Sequence, residues 1–344
     1  MEVAAAAERA LGAWSIADAQ LVPIEVGLIN VTFEVRSERG RFILQRLNPI
    51  FSPRVHEDIE AVTEHLARRG IETPRLVRTV ADTRYHDAEG VWRLMTFIEG
   101  ETHARLTSDA LAREAGALLG RFHRATADLE HTFVAGRLGV HDTPKHMRAL
   151  EDAVGEHTGH RLHAEVAPLA TEIVERYAAL GSLPPVEDRV VHGDPKVSNV
   201  LFTPQGAARC LVDLDTLARM PIYLELGDAL RSWCNPAGED GGEATFSLPL
   251  FAAAIEGYAS STRGWLTAEE SGALVRATAT IILELAARFA ADALRESYFG
   301  WNAKRFATRG DHNLLRAQRQ LQEAKSLADV MDQAEAIVAR AYAP

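Results

Sequence analysis

The sequence predicts an α+β chain folded as two unequal lobes, a small antiparallel sheet carrying one helix and then a larger, mostly helical part. Three observations predict it. Strand-like runs crowd the first 98 residues, apolar residues recur at helical spacing from Glu99 onward, and the helical part is interrupted once, over 189–214, by β-branched apolar runs.

The opening MEVAAAAERALGAW lacks a basic lead and carries Glu8 and Arg9, so it reads as an amphipathic helix rather than a signal peptide. Strands are predicted over 21–26, 31–36 and 41–47, the last two joined through SERG, a glycine-containing hairpin. Over 54–69 the positions Val55, Ile59, Val62 and Leu66 form one helical face, which Gly70 and Pro74 terminate. Strands over 75–79 and 91–98 complete the sheet. Helices are then predicted over 108–128, 144–156, 162–179, 223–233, 246–259, 267–296 and 313–342.

At 344 residues, 47% hydrophobic and 25% charged, the chain is long enough for a two-lobed enzyme with well-filled cores. Its 37 basic and 48 acidic residues leave a formal charge of −11, which opposes non-specific attraction to nucleic acid or anionic membrane. A bound polyanion would therefore need local cations and metal ions. The apolar stretch 279–287 is broken by Glu284 and flanked by Arg276 and Arg288, so no membrane span is expected. Cys210 and Cys234 offer neither a disulfide framework nor metal-ligand spacing, which suits buried thiols in a reducing cytoplasm.

HGDPKVSN (192–199) lies between apolar, strand-like runs on both sides. A polar loop held by buried strands is how a scaffold fixes reactive side chains in space. Phosphoryl transfer asks for a carboxylate to accept the hydroxyl proton, ligands for the metal that holds the phosphates, and cations to offset charge. The stretch supplies these in the order of a kinase catalytic loop: Asp194 as base, Lys196 as a γ-phosphate contact and Asn199 as a magnesium ligand, with His192 bracing the loop. ARCLVDLDT then places Asp213 at the end of a buried strand, nineteen residues after Asp194, as the stronger metal ligand. Asp215 either assists from behind it or faces the substrate. HGD alone is a weak signal, because short polar loops are usually satisfied turns. The register of Asp, Lys and Asn, the strands on both sides and the downstream DLD together carry the reading.

With those residues the chain resembles the aminoglycoside phosphotransferase and choline kinase superfamily of protein-kinase-like small-molecule kinases, and within it the N-acetylhexosamine 1-kinases. The resemblance rests on GLINVTFEV (27–35), RFILQRLN (41–48), HDTPKHM (141–147), VVHGDPKVSNVLF (190–202), LVDLDT (211–216), LGDALRS (226–232) and HNLLRAQRQL (312–321), in that order. It implies a bilobal protein-kinase-like fold, with a nucleotide-binding N-lobe over 1–98 and a helical C-lobe over 99–344. It also implies transfer from ATP, with Mg2+, to a small-molecule hydroxyl. The segment 27–32, with Gly27, Asn30 and Thr32, would lie over the phosphates, and 95–98, with Thr96 and Ile98, at the adenine. The strand FILQR should carry a phosphate-binding cation but has no lysine. Arg46 is the first choice, with Gln45 on the opposite face as the alternative and Glu57 or Glu60 as helix partner.

About ten residues separate Asp213 from the helix predicted at 223, too few for a peptide-binding platform, so a small acceptor is expected. Sugars are held by fans of hydrogen bonds over an apolar platform. Asp194, Asp215, His141, Arg231 and Arg316 are the chosen substrate residues, with Asp142, Thr143, Lys145 and Asn313 beside them and Trp233, Phe299 and Trp301 as platforms. His157, His160 and His163 lack a complete ligand set and read as a solvated segment. The expected partner is a monosaccharide, a hexose or N-acetylhexosamine phosphorylated at its anomeric hydroxyl, and neither nucleic acid nor membrane. Two alternatives stay open. One is a kinase of an amino alcohol, homoserine or aminoglycoside, which the acidic Glu239, Asp240 and Glu243 would suit; the other is a nucleotide-binding pseudokinase.

Overall fold

Alternation along the first strands decides the layers of the N-terminal part. In the computed structural model, which describes residues 2–24, 30–135, 140–238 and 241–343, helix α1 (Glu2–Ala10) and a 3-10 turn at Leu11–Trp14 precede β1 (Gln20–Ile24). The hairpin β2 (Val31–Ser37) and β3 (Gly40–Arg46) leads to α2 (Val55–Arg68), and β4 (Leu76–Val77), β5 (His86–Asp87) and β6 (Val91–Thr96) follow. The sheet runs β1-β2-β3-β6-β4, with β5 also beside β6, and its pairs are antiparallel. Phe33, Val35, Leu44, Trp92 and Leu94 share the face that packs on Ala6, Ala7, Leu11 and Trp14. Met95 and Ile43 turn the other way, toward Val55, Ile59, Val62 and Leu66 of α2.

The second part contains β7 (Glu101–Thr102), α3 (Asp109–Thr126), α4 (Thr143–Glu156), α5 (His163–Leu180), β8 (Asp188–Val191), β9 (Val200–Phe202), β10 (Ala208–Leu211) and β11 (Ala218–Pro221). Helices α6 (Ile222–Trp233), α7 (Leu248–Thr262), α8 (Ala268–Gly272), α9 (Leu274–Arg295), α10 (Arg309–Asp329) and α11 (Met331–Ala341) complete it. Two small sheets, β10-β9-β7 and β11-β8, frame the loop at 192–199. The axes of α3 and α7 approach closely because glycines face backbone: a Cβ on Gly116 would lie 2.1 Å from Ala254 O, and one on Gly257 2.0 Å from Arg113 O.

Helix α2 is tied to the helical part at both ends. The buried Asp58 carboxylate accepts from His131 Nε2 (2.7 Å), Val134 N (3.0 Å) and Ala135 N (2.9 Å). Near the other end His65 Nε2 meets Ala125 O at 2.9 Å and Arg69 pairs with Asp128.

Two predicted helices are each two. Over 267–296, Thr267 and Glu270 form a reciprocal capping box that starts a short helix α8, and Ala273 separates it from α9. Over 313–342, α10 begins earlier, where Thr308 Oγ1 accepts from Asp311 N at 3.2 Å, and Val330 (φ −121°, ψ 15°) separates it from α11. Strands β5, β7 and β11 were not expected, because ladders of two to four residues leave no readable period. Both cysteines are free and buried, and burial pushes the Cys210 thiol up to about 12. Among the described residues no helix is long and apolar enough to cross a membrane.

Candidate active site

The loop 192–199 is held from behind. Gly193 adopts φ +84°, and a Cβ there would sit 2.1 Å from Thr216 O, so the chain needs glycine. Glu225 of α6, 1% exposed, accepts from His192 N (2.8 Å) and Gly193 N (2.7 Å). The same carboxylate meets His123 Nε2 at 3.2 Å, and Tyr258 OH lies 2.9 Å from His123 Nδ1. Donation from His123 Nε2 to Glu225 leaves Nδ1 to accept from Tyr258, so a solvent-free chain runs from α7 through α3 to the loop backbone. His192 donates from Nε2 to Val212 O (2.9 Å) and accepts at Nδ1 from Asp194 N (3.3 Å), which gives it a bracing role. Trp233 lies in the core and donates to Pro195 O at 2.9 Å, so it supports the loop instead of forming a platform.

Within the loop, Lys196 Nζ pairs with Asp194 Oδ2. Asn199 Nδ2 donates to Asp194 O (2.8 Å) and to Asp194 Oδ2 (3.2 Å). Val212 N donates to Asn199 O at 2.9 Å and so ties the end of β10 to this loop just before Asp213. Asp213 itself takes a left-handed conformation (φ 64°, ψ 63°). Burial raises its carboxyl above the ordinary value, and the charges of Asp215 and Asp194 add to the rise while Lys196 and Arg93 oppose it. Asp194, Lys196 and Asn199 are thus in direct contact, and Asp213 is within electrostatic reach of them.

Strand register decides which side chains of the small sheet reach the helical part. Thr32, Gln45 and Arg93 are cross-strand partners in one row of β2, β3 and β6, while Val31, Arg46 and Trp92 form the next row on the opposite face. Arg46 therefore faces away from the cleft, with its guanidinium 5.9 Å from the Trp92 ring centroid and against Gly90. Its expected place is taken by Gln45, whose Oε1 accepts from Arg93 Nε (2.9 Å) and Nη2 (2.8 Å) and whose Nε2 donates to Thr32 Oγ1 (3.2 Å). Arg93 also grips both oxygens of Asp215, with Nη2 to Oδ2 at 2.9 Å, and Asn30 Nδ2 donates to the same Oδ2 at 2.6 Å. Arg93 is 1% exposed and Asp215 3%. Burial alone would raise the Asp215 carboxyl, but the charge and hydrogen bonds of Arg93 hold it below the ordinary range. Asp215 is therefore a link between the two lobes and not an open substrate contact.

Neither helix carboxylate reaches this row. Glu57 pairs with Arg54, and Glu60 with Arg78 and Arg84. The α2 side chain beside it is His56, fully buried and stacked 4.9 Å from Tyr85 with Nδ1 on Pro53 O at 2.7 Å. Burial, then the charge of Arg93, pushes its pKa down to about 4. Thr96 Oγ1 accepts from Arg75 N at 3.0 Å, and Ile98 is partly buried just before Gly100, which packs against β9. Gly27, Glu239 and Asp240 lie outside the described residues.

On α6 and α9 the structure adds two carboxylates that sequence reasoning missed. Asp228 of α6 accepts from Arg231 Nε (3.1 Å) and Nη2 (2.9 Å). Burial alone would raise Asp228, yet Arg231, with His141 and Lys196 contributing, holds it low. Glu284 of α9 receives Thr143 Oγ1 (2.6 Å) and lies 3.0 Å from His141 Nδ1. Burial alone would lower His141, but Glu284, with Asp228 behind it, raises it. The signal for Glu284 was its solitude in an apolar helical run; a charge there needs a buried partner. Arg316 donates to Gly300 O (2.8 Å) and lies over Phe289, whose ring is 4.4 Å from Phe299. Asp142 caps α4 through Lys145 N, and Asn313 is buried on Asp292, so neither is turned toward a ligand by these contacts.

The family model described as "Phosphotransferase enzyme family" matches residues 20–265. The chain belongs to that family. A homoserine kinase of Beijerinckia indica subsp. indica is 28% identical to this phosphotransferase over 261 residues, which cover 73% of this chain and 74% of that protein. An aminoglycoside phosphotransferase of Alicyclobacillus acidocaldarius superposes with a TM-score of 0.63 at 16% identity, covering 95% of this chain and 96% of its own. An amicoumacin kinase in complex with AMP-PNP, Ca2+ and Ami superposes with a TM-score of 0.62 at 14% identity, covering 92% and 94%. The phosphotransferase shares their protein-kinase-like fold, a small sheet lobe on a helical one.

Proposed function

We propose that this phosphotransferase transfers the γ-phosphoryl of ATP, with Mg2+, to a hydroxyl of a free monosaccharide, the anomeric hydroxyl of an N-acetylhexosamine or hexose. One observation carries the acceptor class. Among the described residues, three carboxylates there face a cation: Asp194 faces Lys196, Asp228 faces Arg231 and Glu284 faces His141. These three pairs leave no unpaired carboxylate of their own for a quaternary ammonium or a polyamine. Such paired polar groups suit the donors and acceptors of a neutral polyol.

In this reading residues 1–98 bind nucleotide, with Asn30 and Thr32 over the phosphates and Thr96 and Ile98 at the adenine, and residues 99–344 supply the chemistry. Asp194 accepts the proton of the attacking hydroxyl, and Lys196 beside it offsets charge on the transferring group. His141, Arg231 and Arg316 orient the acceptor. The donor set at Asn199 and Asp213 fits a hard divalent cation. Asn199 Nδ2 is engaged on Asp194, which leaves Oδ1 to act as ligand, and the raised Asp213 carboxyl marks a place where added positive charge is favourable. Among the described residues no three His, Cys, Asp or Glu side chains converge as a metal cage, so phosphate and water would complete the shell. Bound there, Mg2+ supplies charge neutralisation of the phosphates.

The homoserine kinase relative favours a second reading, an amino-acid alcohol whose ammonium and carboxylate divide the Asp228–Arg231 pair. ADP release across monosaccharides, amino alcohols, homoserine and aminoglycosides separates the two. The expected result is turnover of a monosaccharide that falls about 10²- to 10⁴-fold in Asp194→Asn. Turnover confined to homoserine or cationic alcohols overturns the acceptor class, and undiminished sugar turnover in the variant removes Asp194 as base.

A further inference from the structure

The lysine missing from β3 leaves a question of where positive charge at the phosphate-facing row comes from. Gln45 stands at the expected register, and its neighbour across the ladder is Arg93 of β6. Four contacts fix that guanidinium: Nε and Nη2 on Gln45 Oε1, and Nη1 and Nη2 on the two oxygens of Asp215. Both ends of this bridge continue into the segment over the cleft, since Gln45 Nε2 donates to Thr32 and Asn30 Nδ2 donates to Asp215. Asp215 lies two residues beyond Asp213, on the same 3-10 turn.

A buried ion pair of this kind adds little stability over a well-packed apolar pair of the same volume, because desolvation offsets the attraction. Its presence in this row therefore points to positioning. We propose that Arg93 is a positioning residue for the nucleotide, locking Asn30 and Thr32 above the cleft onto the Asp213–Asp215 turn below it. It does so from β6, one strand away from where a lysine would act. Because Arg93 occupies both Asp215 oxygens, Asp213 is the carboxylate of that turn left for the metal. The inference rests on the kinase reading given above.

The test compares wild type with Arg93→Lys, Arg93→Met and the charge-neutral pair Arg93→Met/Asp215→Asn. Three quantities are measured: thermal unfolding, the ATP KM and kcat at saturating acceptor, and AMP-PNP affinity by equilibrium dialysis. The double variant guards against failure of Arg93→Met to fold. It is expected to unfold near the wild-type temperature while its ATP KM and AMP-PNP Kd rise about 10- to 100-fold, the range for groups that orient a metal's ligands. The change in kcat should be smaller, and Arg93→Lys should recover part of the affinity. A double variant that binds AMP-PNP like wild type overturns the inference and makes the pair merely structural. Absence of turnover in wild type on every acceptor defeats the kinase reading instead, and the dialysis comparison still decides the role of Arg93.

Discussion

His56 should give the folded chain a specific weakness to acid. The imidazole is fully buried against Tyr85 and beside Arg93, and its pKa is pushed from 6.5 down to about 4. Because the folded-state value lies below the unfolded one, the neutral ring's contribution is complete above pH 6.5 and is lost as the pH falls from 6.5 toward 4. A gap of roughly 2.5 units at about 1.36 kcal/mol per unit amounts to about 3 kcal/mol, a large share of the stability of an ordinary domain. The assay is urea unfolding of wild type and His56→Phe at half-unit intervals between pH 7 and pH 4. Phenylalanine keeps the stacking surface but cannot take up a proton. Other titrating groups are common to both proteins, so the difference between the two curves isolates position 56. The wild type should lose about 3 kcal/mol more than the variant across this window. Parallel curves, or an NMR titration placing His56 above pH 6, would refute the argument.

Three further outcomes follow from the same contacts. Glu225→Gln removes one acceptor from a carboxylate that holds two loop amides and His123, and should lower kcat about 10- to 100-fold with little change in ATP KM, read by steady-state kinetics. Gly193→Ala forces a Cβ against Thr216 O at a backbone angle that favours glycine, and the displaced loop should lose about 100-fold in kcat while the circular dichroism spectrum stays native. His141 is raised by Glu284, so its charged form contributes stability that is present below about pH 6.5 and is lost as pH rises through its own higher value. Glu284→Gln should abolish that alkaline loss and move the His141 NMR titration to lower pH.

What could be read from the sequence was local. HGDPKVSN and LVDLDT announce themselves because polar residues of fixed spacing interrupt buried strands, and the structure brings Asp194, Lys196 and Asn199 into contact. Arg46 was preferred to Gln45 on the family resemblance, since an isolated strand does not say which of its faces turns inward; the answer lies in the pairing of β3 with β6 across dozens of residues. Arg93 was invisible for the same reason, since nothing in VWRLMT marks it as the neighbour of Asp215. Asp228 sat in a quoted motif without a role, and Glu284 was read only as a break in an apolar run. The divisions at Ala273 and Val330 escaped because apolar periodicity continues across a single residue that leaves the helical hydrogen-bond ladder.

The anchoring of α2 restricts how this enzyme can be switched. A helix laid on the sheet lobe is free to swing only when its ends are loose. Here one end is riveted by a buried carboxylate to a histidine and two backbone amides of the opposite lobe, and the other by an imidazole on a helix carbonyl. Rotating it would strand Asp58 without partners in a dry interior, at a cost of several kcal/mol. The helix and the segment 125–135 should therefore move as one body, so that any rearrangement of the sheet against the helical part carries both along.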